Sequence, residues 1–300
     1  MSGLVRLGLI SEGTNTWPLY VAQARRLFER AGIDVQVTVT GSSVKQQAAL
    51  IRGDYDIGFQ QADHVVRAVE QGSDLFIFMA QGHAPDLTLV GAPDVRGIEH
   101  LAGRTIAVDG ARTGYAPLLR QLLLKHGLAE SDMVFSEFGG SQERFDAMKS
   151  GAASASMLNP PFDSNLIEAG YWSLARMNDA FPSYPGPVMA ARRSWASAHE
   201  TELMAFVRAF DAAYTWLQDR ENKSDAMTLL PARLSIAPRA TVAAVAKFAH
   251  RPRPQISSEG LMQVIDTVWD AESYTQAKGA PGKYMDLSYI ERVLDTSEPN

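Results

Sequence analysis

Hydrophobic residues in the first half of the chain recur in short runs that alternate with helical patterns. The first four runs are VRLGLI (5–10), IDVQVTV (33–39), YDIGF (55–59) and LFIFMA (75–80). Segments with a helical pattern, such as YVAQARRLFERAG and VKQQAALIRG, lie between them. Strands that alternate with helices predict βαβ units and a mostly parallel sheet.

The same order of elements recurs about a hundred residues later. The second set of apolar runs is RTIAV (104–108), MVFSEF (133–138) and ASASML (153–158). Three pairs of landmarks are each separated by 98 residues, namely Trp17 with Tyr115, Gly41 with Gly139 and Gly53 with Gly151. Any two βαβ segments look alike, but three landmarks at one offset in the same structural roles favour two similar α/β lobes.

Two extended segments flank the second repeat and predict how the lobes are connected. LTLVGAPD (87–94) precedes the repeat and GPVMAARRS (186–194) follows it. A chain that crosses to the second lobe and returns would use both segments, which gives a two-strand hinge. We therefore expect lobe one to comprise residues 1–90 and 188–300, and lobe two to comprise residues 91–187.

The last third of the chain has a helical pattern. Three amphipathic runs carry it: HETELMAFVRAFDAAYTWLQD (199–219), RATVAAVAKFAH (239–250) and EGLMQVIDTVWDAESYTQA (259–277). Prolines separate the runs. We expect this C-terminal tail to wrap one lobe.

Composition narrows the functional classes. The chain is 46% hydrophobic and 21% charged, which is typical of a globular protein, and its net charge of −6 without a basic cluster argues against a nucleic-acid partner. The absence of cysteine excludes disulfides, thiolate nucleophiles and cysteine metal sites, and we expect no metal and no cofactor. The N-terminus has no signal-peptide pattern, which predicts a cytoplasmic protein as written, or a periplasmic one if a signal has been removed.

Matching loops in the two lobes are the candidate ligand site. Ligands of open parallel sheets bind outside the carboxyl ends of the strands, where unpaired N–H groups of helix starts favour negative charge. In lobe one this rule selects Glu12, Thr14, Asn15, Trp17, Gly41, Ser42, Ser43, Gln60, Gln61 and His83. In lobe two it selects Asp109, Gly110, Arg112, Thr113, Gly114, Tyr115, Gly140, Ser141 and Asn159.

Several of these residues have a purely structural explanation as well. Trp17 and Tyr115 occupy equivalent positions at helix starts and could clamp a planar or apolar ligand, or they could pack in the core. Arg112 could counter an anionic ligand or point into water. Gly110 and Gly114 could cradle a ligand or only form the turn.

Titratable residues in the same loops leave catalysis open. Metalloprotease, Walker and nucleophile-elbow motifs are absent from the sequence, so an enzyme would depend on proton transfer by carboxylates and imidazoles. The candidates for that role are Glu12, Asp63, His64, His83 and Asp109.

The residues over about 1–175 resemble a known group of proteins. The matching segments are LYVAQARRLFERAGIDVQVTVTGSS, LIRGDYDIGF, LAGRTIAVDGARTGYAPLLRQLL and FGGSQERFDAMKSGAASASMLNPPFD. They resemble the type II periplasmic solute-binding proteins of the nitrate, sulfonate and taurine kind, and the related thiamine-pyrimidine-synthase-like sequences. The chain lacks a lipid-attachment cysteine, and it lacks the cysteine-rich motif of the thiamine-pyrimidine synthases, which argues against that activity.

The resemblance implies two α/β lobes that close on a small organic anion such as a sulfonate, a carboxylate or an aromatic acid. It also implies delivery of that solute to the membrane permease of an ABC-type importer. Because the same fold hosts enzymes, the alternative is a cytosolic decarboxylase, lyase or hydrolase that uses the cleft carboxylates and histidines. A cytosolic ligand sensor is a third possibility.

Overall fold

The computed structural model of the chain describes residues 3–82, 85–112, 114–234, 241–242, 244–245, 248 and 253–295. The strands are β1 Gly3–Leu9, β2 Ile33–Val39, β3 Ile57–Gln60, β4 Leu75–Ala80, β5 Thr88–Gly91, β6 Thr105–Val108, β7 Val134–Glu137, β8 Ala155–Leu158, β9 Trp172–Arg176 and β10 Val188–Arg192. The helices are α1 Trp17–Ala24, α2 Leu27–Arg30, α3 Ser43–Arg52, α4 Ala62–Glu70, α5 Ala116–Lys125, α6 Ser141–Ser150, α7 Phe162–Glu168, α8 Met177–Ala180, α9 Arg193–Ala198, α10 Glu200–Gln218, α11 Lys223–Leu234, α12 Ser258–Glu272 and α13 Ser288–Asp295.

The strands form two five-stranded sheets with equivalent strand orders. The first sheet is β2-β1-β3-β10-β4 and the second is β7-β6-β8-β5-β9. In each sheet four strands share one direction, and the fifth, β10 or β5, is antiparallel to both of its neighbours. We call each sheet with the helices packed on it a lobe. The predicted α/β fold with two similar lobes is confirmed.

The two extended segments predicted from the sequence each contain one of these antiparallel strands. Residues 87–94 contain β5, and residues 186–194 contain β10. The chain therefore enters the second sheet along β5 and re-enters the first sheet along β10. The division into residues 1–90 plus 188–300 and residues 91–187 remains a prediction.

The 98-residue offset also holds for whole elements. Helix α3 at 43–52 corresponds to α6 at 141–150, and strand β3 at 57–60 corresponds to β8 at 155–158. Both helices end at a glycine in the left-handed region, with φ of 89° at Gly53 and 77° at Gly151. Glycine is preferred there because it has no Cβ to clash with the backbone.

Strand β9 was not predicted from the hydrophobic pattern. Its residues WSLAR are exposed or only partly buried because it lies at the edge of the second sheet, so it lacks the apolar run of the other strands. The offset itself indicates it, since β4 at 75–80 shifted by 98 falls on 173–178, next to β9 at 172–176.

The C-terminal helices contact both lobes, and the expectation that they wrap only one was wrong. Helix α10 packs on α1 and α2 of the first lobe, whereas α12 packs on α4 of the first lobe and on α5 of the second. A single hydrophobic cluster joins α4, α5 and α12, with Val65, Leu119 and Val264 among its members. Most of the predicted helix at 239–250 lies outside the described residues.

In the part of the chain that the structure describes, no helix is both long enough and apolar enough to cross a membrane.

A candidate solute-binding cleft

A cavity of about 110 Å³ lies between the two lobes. Its walls are the loops that follow β1, β3, β6 and β8, together with the first turns of α4 and α6. The strand-end rule selected these loops because unpaired N–H groups of helix starts collect there. The cavity therefore has the location expected of a ligand site between two α/β lobes.

About half of the predicted binding residues line this cavity. They are Asn15, Gln60, Gln61, Asp109, Gly114, Tyr115, Gly140, Ser141 and Asn159. The predicted residues outside its lining are Glu12, Thr14, Trp17, Gly41, Ser42, Ser43, Gly110 and Arg112. His83 and Thr113 lie outside the described residues.

The structure does not form the aromatic clamp proposed for Trp17 and Tyr115. Trp17 is the first residue of α1, where residues 17–22 are all buried, so its fully buried ring packs in the first-lobe core against Phe248, at 5.3 Å between ring centroids. Tyr115 does line the cavity, and its ring contacts Tyr184. Burial raises the pKa of the Tyr115 hydroxyl well above its usual value, so this hydroxyl stays protonated and can donate.

Of the four candidate catalytic residues that the structure describes, His64 and Asp109 line the cavity, and the fifth, His83, lies outside the described residues. Glu12 instead accepts a hydrogen bond from the Tyr20 hydroxyl at 2.9 Å and lies 3.2 Å from an Arg233 nitrogen. Asp63 lies behind the cavity wall, where its carboxylate is paired with Arg67. Glu12 and Asp63 are therefore engaged outside the cavity, whereas His64 and Asp109 both border it.

Arg144 is the positively charged residue of the cavity that the sequence interpretation missed. Its Nε donates to the carbonyl oxygens of Gly139 at 3.1 Å and Gly140 at 3.2 Å, and its other nitrogens donate to Met157 O and Ser141 Oγ. Burial lowers the pKa of the guanidinium, but arginine remains charged in proteins. These hydrogen-bond partners are all neutral, and the charges of Asp109 and Glu143 act against burial on the pKa of the guanidinium.

The repeat offers a signal that could have identified Arg144. Shifting its position by 98 residues gives Gln46, a fully buried residue of α3 whose Nε2 donates to the Gly8 carbonyl at 3.1 Å. Both residues lie on the helix face that meets the sheet. An arginine at a position where its counterpart is buried indicates a guanidinium that points inward, not into water.

Four polar side chains of the cavity carry buried atoms without a hydrogen-bond partner within the described residues: Gln60, Gln61, His64 and Tyr115. In Gln61 the unpaired atom is Oε1. Gln60 and His64 are each only 1% exposed, and both polar atoms of each side chain are unpaired. The Tyr115 hydroxyl is also buried and unpaired. By contrast, Ser141 donates to Asn159, and the Asn159 amide nitrogen donates to Pro160 O at 3.1 Å.

Backbone hydrogen bonds hold the lobes against each other around the cavity. Thr14 N donates to Pro160 O at 3.2 Å, and Gly140 N donates to Gly41 O at 3.0 Å. Each bond joins a loop of the first lobe to a loop of the second. Thr14 and Gly41, which were predicted to bind the ligand, therefore bridge the lobes in this structure, and the lobes are closed.

A buried ion-pair network makes a further connection between the lobes, and we call it the latch. Asp63 and Arg67 of α4 form a buried ion pair. Asp63 Oδ2 accepts from Gly114 N of the second lobe at 2.8 Å, and Arg67 Nη2 donates to Arg112 O at 2.7 Å. Arg67 Nε also donates to Glu272 of α12 at 2.8 Å. Burial acts to lower the pKa of Arg67, but the charges of Asp63 and Glu272 more than offset it and raise that pKa.

No group of three or more metal-ligating side chains occurs within the described residues.

Comparison with solved structures defines the class of fold. Over 98% of this chain and 89% of the other, it matches the periplasmic nitrate-binding protein NrtA of Synechocystis PCC 6803 with a TM-score of 0.81 and 13% identity. It also matches the alkanesulfonate-binding protein SsuA of Xanthomonas axonopodis pv. citri, solved with MOPS bound, over 95% and 99% of the chains, with a TM-score of 0.76 and 18% identity. The chain therefore has the two-lobed fold of periplasmic binding proteins.

Sequence comparison then identifies the family. The NMT1/THI5-like family matches residues 13–223, and the chain belongs to it. A curated relative, the putative binding protein YtlA of Bacillus subtilis, is 26% identical over 214 residues, which are 69% of this chain. The match spans 64% of the length of YtlA.

Proposed function

We propose that this protein is a solute-binding protein whose lobes close on a small organic anion. The observation that carries the proposal is the closed cavity between the lobes, which contains the Arg144 guanidinium and several unpaired polar groups. A guanidinium with neutral protein partners binds a carboxylate or sulfonate through charge-assisted hydrogen bonds. Asp86 and Asp109 also line the cavity, which favours a solute with a single anionic group over a multiply charged one.

The relatives with this fold support a solute-binding role. NrtA is a periplasmic nitrate-binding protein and SsuA an alkanesulfonate-binding protein, and YtlA is a putative binding protein. By analogy, we propose that the partner of this chain is the membrane permease of an ABC-type importer, and that it meets its solute outside the cytoplasm. These relatives give the enzymatic alternative no comparable support.

Calorimetric titration against nitrate and a panel of sulfonates, carboxylates and aromatic acids tests the proposal. We expect at least one anion to bind with a Kd in the micromolar range or below, and chromatography of the ligand after incubation should recover it unchanged. The proposal fails if no anion binds, or if the bound anion is converted.

Substitution of Arg144 tests where the anion binds. Loss of a hydrogen bond to a charged group costs about 1.5–3 kcal/mol, so Arg144→Gln should weaken anion binding by about tenfold to a hundredfold. Arg144→Lys keeps the positive charge but loses the planar set of N–H donors of the guanidinium. Its affinity should lie between those of Arg144→Gln and the parent. Thermal unfolding without ligand separates this effect from loss of the loop contacts made by Arg144. Equal affinities of both variants and the parent would exclude Arg144 from the site.

A further inference from the structure

The unpaired side chains of the cavity require an explanation that the anion does not supply. Gln60 lies at the end of β3, His64 in the first turn of α4, and Tyr115 directly before α5. Together they present five buried polar atoms without a hydrogen-bond partner within the described residues. The nearest carboxylate oxygen to His64 Nε2 is Oδ1 of Asp63 at 3.9 Å, which is too long for a hydrogen bond.

Buried polar groups without partners are costly. Each costs about 1–3 kcal/mol, so native proteins retain few of them outside functional sites. All three side chains line the same cavity, and a Cβ on Gly114, the residue before Tyr115, would lie 3.7 Å from His64 Nε2. Arg144 and Ser141 are on a different element, α6, and are already hydrogen-bonded to each other. The cavity thus has one part on α6, which carries the Arg144 guanidinium, and another part formed by Gln60, His64 and Tyr115.

We infer that Gln60, His64 and Tyr115 form a second recognition subsite, and that the solute is a small anion with an additional hydroxyl or carboxamide group. The amide of Gln60 offers both a donor and an acceptor, the imidazole of His64 offers two ring nitrogens, and the Tyr115 hydroxyl adds a donor. A group that both donates and accepts matches this set, whereas an alkyl group would leave it unpaired. This inference rests on the proposed function, because it assigns the anionic end of the same solute to Arg144.

Pairs of anions that differ by one hydroxyl test the inference. Suitable pairs are ethanesulfonate with 2-hydroxyethanesulfonate, propionate with 3-hydroxypropionate, and benzoate with the hydroxybenzoates, each titrated calorimetrically. We expect the hydroxylated member of at least one pair to bind tenfold or more tightly than its partner. Equal binding within every pair overturns the inference but leaves the proposed function intact. Failure of all these anions and of the wider panel to bind is a different result, which overturns both.

A tyrosine variant and its matched control separate recognition from packing. Tyr115→Phe removes only the unpaired hydroxyl, and Tyr184→Phe removes a hydroxyl from the neighbouring buried ring, which does not line the cavity. Tyr115→Phe should reduce the preference for the hydroxylated anion over the plain anion at least threefold. Tyr184→Phe should leave the preference as in the parent. If Tyr115→Phe weakens the binding of both anions equally, or of neither, the hydroxyl does not recognise the solute.

Gln60→Met and His64→Leu extend the test to the first lobe. Both replacements are similar in size and apolar, so they remove the hydrogen bonds with little change in volume. Each should reduce the preference for the hydroxylated anion over the plain anion tenfold or more. Unchanged preference in both variants, with thermal stability preserved, would overturn the assignment of these residues.

Discussion

At the residue scale, contact between the lobes depends on the absence of a side chain at Gly13. Its backbone is extended, with φ of 176°, so any residue could adopt the conformation. A Cβ at this position, however, would overlap the Asn159 amide nitrogen and lie 3.2 Å from Pro160 O. Pro160 O is also the acceptor of Thr14 N, one of the hydrogen bonds between the lobes. Space, not backbone freedom, is therefore the reason for glycine here.

Gly13→Ala should weaken ligand binding without unfolding either lobe. The added methyl group clashes only when the lobes are closed, so it shifts the population toward an open state that binds the solute poorly. We expect a rise in Kd of fivefold or more by calorimetry and a thermal midpoint of the ligand-free protein within a few degrees of the parent. Gly282→Ala is the control, because a Cβ there meets nothing within 4 Å. Parental affinity in Gly13→Ala would show that the loops separate without loss of binding.

The loops of the site could be predicted from the sequence more accurately than the side chains that line it. Strand ends and glycine turns are encoded locally, so the loops containing Gln60, Tyr115 and Asn159 were predicted. Whether a side chain faces the cavity depends on how its helix is rotated against the sheet. Trp17 and Arg144 show both errors: the ring predicted to clamp the ligand packs in the core, and a charged helix residue points into the cavity.

At the element scale, the connection between β5 and α7 depends on a buried carboxylate. Asp163 Oδ2 accepts from Thr88 Oγ1 at 2.9 Å, and Oδ1 accepts from Ser164 N at 2.6 Å and Ser164 Oγ at 3.1 Å. Burial raises the pKa of Asp163 more than these donors lower it. Since β5 is the strand along which the chain enters the second sheet, this contact fixes α7 to that crossing strand.

The raised pKa of Asp163 predicts a pH-dependent stability that Asp163→Asn should remove. In the window from the usual aspartate pKa of 3.8 up to the higher folded-state value, the native state binds more protons than the unfolded state. The stability that this group contributes is therefore fully present below pH 3.8 and is lost as pH rises through the folded-state pKa. Urea unfolding of both proteins should be measured from pH 4 to 7. The free energy of unfolding of Asp163→Asn minus that of the parent should increase with pH. A difference that is flat or decreases would contradict the assignment.

The whole elements predicted from sequence were those with a strong local pattern. Long apolar strands and helices that end at a glycine could be predicted from the local pattern. The 98-residue repeat then indicated which elements of the two lobes correspond. The edge strand β9 has few buried residues and left no such pattern. The place of α12 against both lobes could not be predicted either, because an amphipathic face shows that a helix is covered but not by which element.

At the scale of the whole molecule, closure joins parts of the chain that are far apart in sequence. Helix α4 of the first lobe contacts Arg112 and Gly114 of the second lobe through the latch. Helix α12 contacts both lobes, because Glu272 accepts from Arg67 Nε and the Ala271 carbonyl accepts from Arg112 Nη2 at 2.7 Å. The latch residues Asp63 and Gly114 directly precede the cavity residues His64 and Tyr115. We therefore expect formation of the latch to position those two side chains for the solute.

Removal of the Asp63 carboxylate should open the molecule and release the solute faster. Asp63→Ala takes away the acceptor of Gly114 N, whereas Asp63→Asn keeps an oxygen that can accept. The control Asp54→Ala breaks an exposed pair with Arg52 within the first lobe. Since the chain has no cysteine, spin labels at Asp34→Cys and Glu168→Cys report the distance between the lobes.

For Asp63→Ala we expect a longer and broader distance distribution without ligand and about tenfold faster dissociation by stopped-flow, the effect of one charge-assisted hydrogen bond. Asp63→Asn should lie between Asp63→Ala and the parent, and Asp54→Ala should match the parent in both measurements. Identical distances and rates in Asp63→Ala and Asp54→Ala would mean that the backbone bonds at Pro160 and Gly41 are sufficient to keep the lobes closed. The latch would then stabilise α4 and α12 without controlling closure.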